Sequence, residues 1–133
     1  MKLEYLDDIS DGGKYTGVET DKLVRLYDFD DIQAQKFYDA IQQKILGHNK
    51  DLDMKELDFI EKLNCNLTLR LADKDLGITT VDKKNFFCDL TETAYQNMLN
   101  LLEPFFGKET SGYQWLYDLN TDVEFLFSPG GQW

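Results

Sequence analysis

His48 is the chain's only histidine, and Cys65 and Cys88 are its only cysteines. These three residues bound the nucleophilic and metal chemistry open to it. A multi-histidine metal site within one chain is impossible, and a histidine-based triad would have to use His48. That residue sits between Gly47 and Asn49, in what reads as a helix-to-loop connection, so an exposed loop histidine is the expectation. Each cysteine lies in an apolar, strand-like run. Both therefore read as reduced core thiols, since free Cys behaves as a small buried hydrophobe.

Carboxylates are abundant, and most have a local explanation. Asp7, Asp8 and Asp11 precede Gly12-Gly13, which superficially resembles a cation loop. Counted as a calcium loop from Asp7, the third position is Ile9 and the twelfth is Val18, so the pattern fails. Asp118, Asn120 and Asp122 fill the first three ligand slots, yet Val123 occupies the glycine slot and Pro129 the twelfth. A polar hairpin tip is the reading there. Asp28, Asp30 and Asp31, or Asp89 with Glu92, have the residue types for acid–base work, but each group precedes a helix and is accounted for by capping and the helix dipole. Gly12-Gly13 and Gly130-Gly131 lack the context of a phosphate loop. No cofactor or metal is expected.

The aromatic residues carry more information. Tyr113, Trp115 and Tyr117 form a period-two stripe. Such a stripe is either core beneath the helices or an exposed anchor for a protein or apolar ligand. Trp133, the last residue, has the same two readings: tucked into the fold or available as an anchor.

The charge narrows the partners. Twenty-five acidic against 14 basic residues leave a net charge of −11 over 133 residues. A phosphate backbone requires clustered Lys and Arg, so nucleic acid is not an expected partner. A basic protein, a cation or plain solubility fits this balance better. At 42% hydrophobic and 14% aromatic, the chain is far from an acidic disordered tail. MKLEYLDDISDGG has no apolar core of a signal peptide, and no apolar run approaches a membrane span. A cytoplasmic protein without a membrane partner is expected. The acceptor pattern Asn66-Leu67-Thr68 falls mid-strand and is discounted on the same ground.

Several elements must position these residues. Lys2–Leu6 and Leu23–Phe29 read as strands, the second with apolar residues on both faces. Asp30 with Gln33 forms a capping box, and Ala34, Phe37, Tyr38, Ile41 and Ile45 make a helical stripe that stops at Gly47. Asp53 with Glu56 caps a turn or two of helix. Leu63 to Leu71 alternates apolar and polar residues as a half-buried strand. Ile78–Val81 and Phe86–Leu90 read as one strand interrupted by residues 82–85. A second helix starts near Thr91, with Ala94, Tyr95, Met98, Leu101, Leu102 and Phe105 as its stripe and Gly107 as its stop. Finally, 113–117 and 123–127 form a hairpin. An odd loop over 120–122 is preferred because it sets Tyr117 opposite Phe125 and Trp115 opposite Phe127.

The order strand–helix–strand–strand–helix–strand predicts one α+β domain over 1–133. Its expected form is a two-layer sandwich with a ferredoxin-like βαββαβ core, an extra N-terminal strand and a C-terminal hairpin. The function expected is a small acidic interaction or inhibitor (immunity-like) domain. Its candidate partner surface is Asp7, Asp8, Asp11, Trp115, Tyr117 and Trp133, facing a basic protein. The competing reading is a small-ligand-binding or enzymatic domain with a carboxylate and aromatic pocket. The single histidine and the capping roles of the best carboxylates weigh against an enzyme.

Overall fold

Leu3 and Tyr5 alternate with Lys2, Glu4 and Leu6, and in the computed structural model this run is strand β1 (Lys2–Asp7). The structure describes residues 1–7, 22–106, 112–119 and 121–130. β2 (Lys22–Tyr27) pairs antiparallel with β1, Leu3 opposite Leu26 and Tyr5 opposite Val24. Asp30 then caps α1 (Asp31–Ala40): its Oδ1 accepts from the Gln33 amide at 2.8 Å, while Gln33 Oε1 accepts from the Asp30 amide. The helix continues as a π-helical stretch over Ile41–Gly47. Ala34, Phe37, Ile41 and Ile45 are fully buried, as the stripe requires.

The middle of the chain builds a second sheet. β3 (Leu52–Asp53) leads into one 3-10 turn, Met54–Glu56, closed by a capping box between Asp53 and Glu56. β4 (Glu61–Lys62) crosses back to pair with β1. Next come β5 (Asn66–Leu71), β6 (Gly77–Thr80) and β7 (Asn85–Leu90). Thr91 caps α2 (Glu92–Leu102), its Oγ1 accepting from the Ala94 amide. Its buried residues are Tyr95, Met98, Leu99 and Leu102, and Phe105 follows on a 3-10 turn, Glu103–Phe105. The proposed stop at Gly107 lies outside the described residues. β8 (Gln114–Tyr117) and β9 (Glu124–Ser128) complete the fold as an antiparallel pair.

The nine strands among the described residues form two sheets, ordered β4-β1-β2-β9-β8 and β3-β5-β7-β6. The α+β class holds. A single ferredoxin-like sheet does not describe these orders, because β2 pairs parallel with β9 and the middle strands lie in a sheet of their own. β2 explains its own blurred alternation. It lies between β1 and β9 with Val24 and Leu26 on one face, while Leu23 on the other packs with Leu126, Leu6 and Trp115.

Two further expectations change. The alternation from Leu63 to Leu71 is divided between sheets: the Leu63 amide donates to the Leu3 carbonyl beside β4, and the strand proper begins at Asn66. Leu63 is accordingly exposed. The run from Ile78 to Leu90 is a hairpin, with Ile78 opposite Cys88. Asp82 closes its loop by accepting from the Lys84 and Asn85 amides at 2.9 and 2.8 Å.

The inner faces of both sheets and both helices meet in a shared core. Phe127 anchors it, with the rings of Phe29, Phe37 and Phe105 at 4.2, 5.8 and 5.1 Å. Tyr5 and Phe86, 4.6 Å apart, join one sheet to the other. Burying each such ring contributes about 1.5–3 kcal/mol.

Candidate functional site

A strand at the edge of a sheet presents unpaired amides and carbonyls, and folds normally blunt or cover it. Among the described residues, four strands occupy edges. β3 and β4 are two residues each, and β4 consists of exposed Glu61 and Lys62. β6 is overlaid by residues 121–123: Ile78 bridges to Val123, and its amide donates to Thr121 Oγ1 at 3.0 Å. β8 is four residues long and, among the described residues, has no partner strand beyond β9. It contains neither Lys nor Pro.

Helix α2 lies close to β8, and both line a cavity of about 270 Å³. Thr93, Asn97 and Leu101 line it from the helix; their spacing of four places them on one helical face. Trp115 to Leu119 line the strand side, and Asp75 lies at the same cavity. The volume falls just below the range of roughly 300–1,000 Å³ usual for small-molecule pockets. Two carboxylates, Asp75 and Asp118, line it, and no Lys, Arg or His does so among the described residues. Asp75 Oδ1 accepts from the Thr91 amide at 2.8 Å, which ties this wall to the start of α2. Burial, followed by the charge of Asp75, raises the pKa of the Tyr117 hydroxyl. Leu119 is 67% exposed at this site.

The aromatic stripe divides at this strand. A bulge between Trp115 and Tyr117 sets Tyr117 opposite Phe125, as the odd loop requires, but Trp115 opposite Leu126 rather than Phe127. Leu116 is the extra residue of the bulge, with no counterpart on β9, so period-two alternation fails. Trp115 packs on the outer face with Leu23 and Leu126, and its ring meets the exposed Tyr113 edge-on at 6.4 Å. Tyr117 is only 9% exposed and belongs to the core. Of the other candidate surface residues, Asp7 is exposed at the end of β1, opposite Lys22. Asp8, Asp11 and Trp133 lie outside the described residues.

Sequence reading missed Asp75, Thr93, Asn97 and Leu119. Nothing local marks them, because only the approach of β8 makes a groove of the α2 face.

The remaining chemistry-bearing residues are held in structural roles. Asp30 caps α1, Asp28 pairs with Lys2 at 3.2 Å, and Asp89 accepts two hydrogen bonds from Arg70. Neither Asp30 nor Asp89 lines the α2–β8 cavity. His48 is exposed after the π-helical stretch and borders a second, shallow cavity of about 230 Å³ with Gln43 and Leu57. Lys44 at that cavity already donates to Glu56. Cys65 and Cys88 are free and buried. Among the described residues no group of three or more His, Cys, Asp or Glu is placed to hold a metal. No helix of the described residues is long and apolar enough to cross a membrane. Compared with known proteins, the chain matches no family model, no curated protein and no solved structure.

Proposed function

We propose that this protein is a small acidic interaction domain, of the inhibitor or immunity-like kind, that binds a more basic protein through the α2–β8 groove. One observation carries the reading. Asp75 and Asp118 line a groove that no Lys, Arg or His lines among the described residues, beside the exposed Leu119, on a chain of net charge −11. Acidic groups around an apolar contact speed encounter with a basic partner and disfavour acidic ones. The two free, buried thiols accord with a cytoplasmic setting.

The test is retention of proteins from a lysate of the source organism by the immobilised protein and by its Asp75→Asn/Asp118→Asn variant. Asparagine keeps the acceptor that holds the Thr91 amide while removing the charge. A basic protein held at ~0.1 M salt, shed at ~1 M where the Debye length falls from ~10 to ~3 Å, and lost by the variant supports the reading. Equal retention by both forms, or none, rejects it.

A second reading rests on Asp75, Asp118 and Tyr117 meeting at one cavity. A ligand-binding domain would use that trio as its polar contacts. It is favoured if a small-molecule thermal-shift screen yields stabilisation that the same double variant abolishes.

A further inference from the structure

We propose that the α2–β8 cavity is a socket for one arginine side chain of the basic partner. This deepens the interaction reading and rests on it. Tyr117 supplies the first argument. It is only 9% exposed and lines the cavity, yet its hydroxyl hydrogen-bonds to nothing among the described residues. Among those residues the one sealed side-chain polar atom without a partner is Asn66 Oδ1. The Tyr117 hydroxyl is therefore not sealed, and the cavity is what it opens onto. Its two lone pairs are available to an incoming donor.

The carboxylates supply the second. Asp75 reaches the cavity from the loop before β6, and Asp118 from the residue after β8. Both charges act on the Tyr117 hydroxyl, Asp75 the more strongly, so the three groups lie within electrostatic reach of one another. Asp75 is held in place. Its Oδ1 accepts from the Thr91 amide at 2.8 Å, and the Leu76 amide beside it donates to the Asp89 carbonyl at 2.9 Å. Asp75 Oδ2 and both oxygens of Asp118 accept no hydrogen bond among the described residues.

Size and chemistry identify the occupant. A cavity of about 270 Å³ holds the end of one side chain. Ala94, Leu101 and Leu116 give it an apolar wall on which the methylenes of a long side chain can lie. The polar groups at Tyr117 and the two carboxylates call for a donor-rich cation. A guanidinium presents five donors in a planar fork and is more weakly hydrated than an ammonium, so it serves separate acceptors and loses less on leaving water.

The experiment titrates the isotope-labelled full chain, followed by amide resonances, with N-acetyl-arginine methylamide. Its lysine counterpart and its uncharged citrulline counterpart are titrated in parallel. The arginine derivative is expected to shift the amides of Asp75, Asn97 and 117–119 saturably. The lysine derivative should bind about threefold or more weakly, and the citrulline derivative should leave these amides unmoved. Asp75→Asn/Asp118→Asn weakens arginine binding about tenfold or more, as loss of charge-assisted hydrogen bonds implies. Tyr117→Phe weakens it about threefold to tenfold. The melting temperature of that variant does not fall, because the hydroxyl holds nothing in the fold.

Equal binding of the citrulline or lysine derivative, shifts confined to another part of the chain, or no saturable shift overturns the arginine socket. The captured basic partner separates this failure from that of the interaction reading. The arginine derivative should release it from the immobilised chain more completely than the lysine derivative of equal charge and concentration. If the partner is retained in a salt-dependent way and the arginine derivative does not release it, the socket fails while the interaction reading stands. If the derivative binds the cavity but the parent retains no partner, the interaction reading fails, and a free guanidinium ligand replaces the partner's side chain as occupant.

Discussion

Arg70 donates two hydrogen bonds to Asp89 on the neighbouring strand, from Nε to Oδ1 at 2.6 Å and from Nη2 to Oδ2 at 2.8 Å. The two residues are in register across β5 and β7, and the guanidinium lies 4.2 Å above the Phe87 ring. The other sheet repeats the arrangement. Arg25 donates to Glu4 across β1 and β2 and lies 3.9 Å from the Tyr27 ring. These are the chain's only two arginines. Each is held between a carboxylate and an aromatic face, so neither adds to a basic surface.

The paired fork on Asp89 is expected to resist replacement by a point charge. Arg70→Lys keeps the charge but loses the second hydrogen bond and the planar contact with Phe87. A loss of about 1 kcal/mol in urea melts is expected. The cycle with Asp89→Asn should show the two changes to be coupled. Additive changes would mean that the pair is idle.

Tyr95 spans the same two strands from beneath. Its hydroxyl donates between the carbonyls of Arg70 at 2.7 Å and Cys88 at 2.8 Å, in a fully buried position. Tyr95→Phe removes this donor without changing the ring. It should cost about 1–2 kcal/mol, since the freed carbonyls lose a partner out of reach of water. A calorimetric melt unchanged from the parent would contradict the assignment.

Gly77 is required by a close approach. Its φ is +77°, and a Cβ there would stand 2.5 Å from Thr121 Oγ1 and 2.6 Å from Thr121 Cβ. Thr121 cannot swing aside freely, because Oγ1 accepts from the Ile78 amide and donates to the Val123 carbonyl. Gly77→Ala should therefore destabilise by about 2–3 kcal/mol. The penalty should persist in a Thr121→Ala background, where Cβ remains, and diminish with Thr121→Gly.

Asp82 should make stability depend on acid pH. Hydrogen bonds from the Asn85 and Lys84 amides lower its pKa from 3.8 to about 2. A carboxylate depressed in the folded state contributes stability that is fully present above its unfolded value and lost as pH falls through the folded one. The window runs from about pH 4 to about 2. Asp82→Asn should flatten the melting temperature against pH across it, and an unchanged slope would count against this loop geometry.

The thiols should be silent in the native protein. Burial, with the Glu4 charge adding to it, pushes Cys65 up to about 12, and burial raises Cys88 further. Thiolate is the reactive form. At pH 8 a chromogenic disulfide reagent should titrate neither cysteine until denaturant is added, and then both. Prompt reaction of one in buffer would contradict its burial.

Much of this molecule is local and is legible in the residues themselves. The capping boxes at Asp30–Gln33 and Asp53–Glu56 and the helical stripes rest on interactions between residues three or four apart, which spacing reveals directly. The cap of α2 is Thr91 and not Asp89, whose carboxylate is held by Arg70 on the neighbouring strand. One cross-strand pair was readable too, because opposing apolar pairs constrain register: Tyr117 does face Phe125, although Trp115 faces Leu126 and not Phe127. The charge, the single histidine and the missing ligand motifs already narrowed the chemistry. Tertiary structure alone decided which strands are neighbours. Alternation states which way a side chain faces and nothing about what it faces, so the parallel pairs β2–β9 and β5–β7 and the division into two sheets left no local mark. The bulge that sends Trp115 and Tyr117 to opposite faces is set by register across the pair. The groove follows the same rule. Asp75, Asn97 and Asp118 are distant along the chain and ordinary where they stand, and only the approach of α2 to β8 makes a site of them.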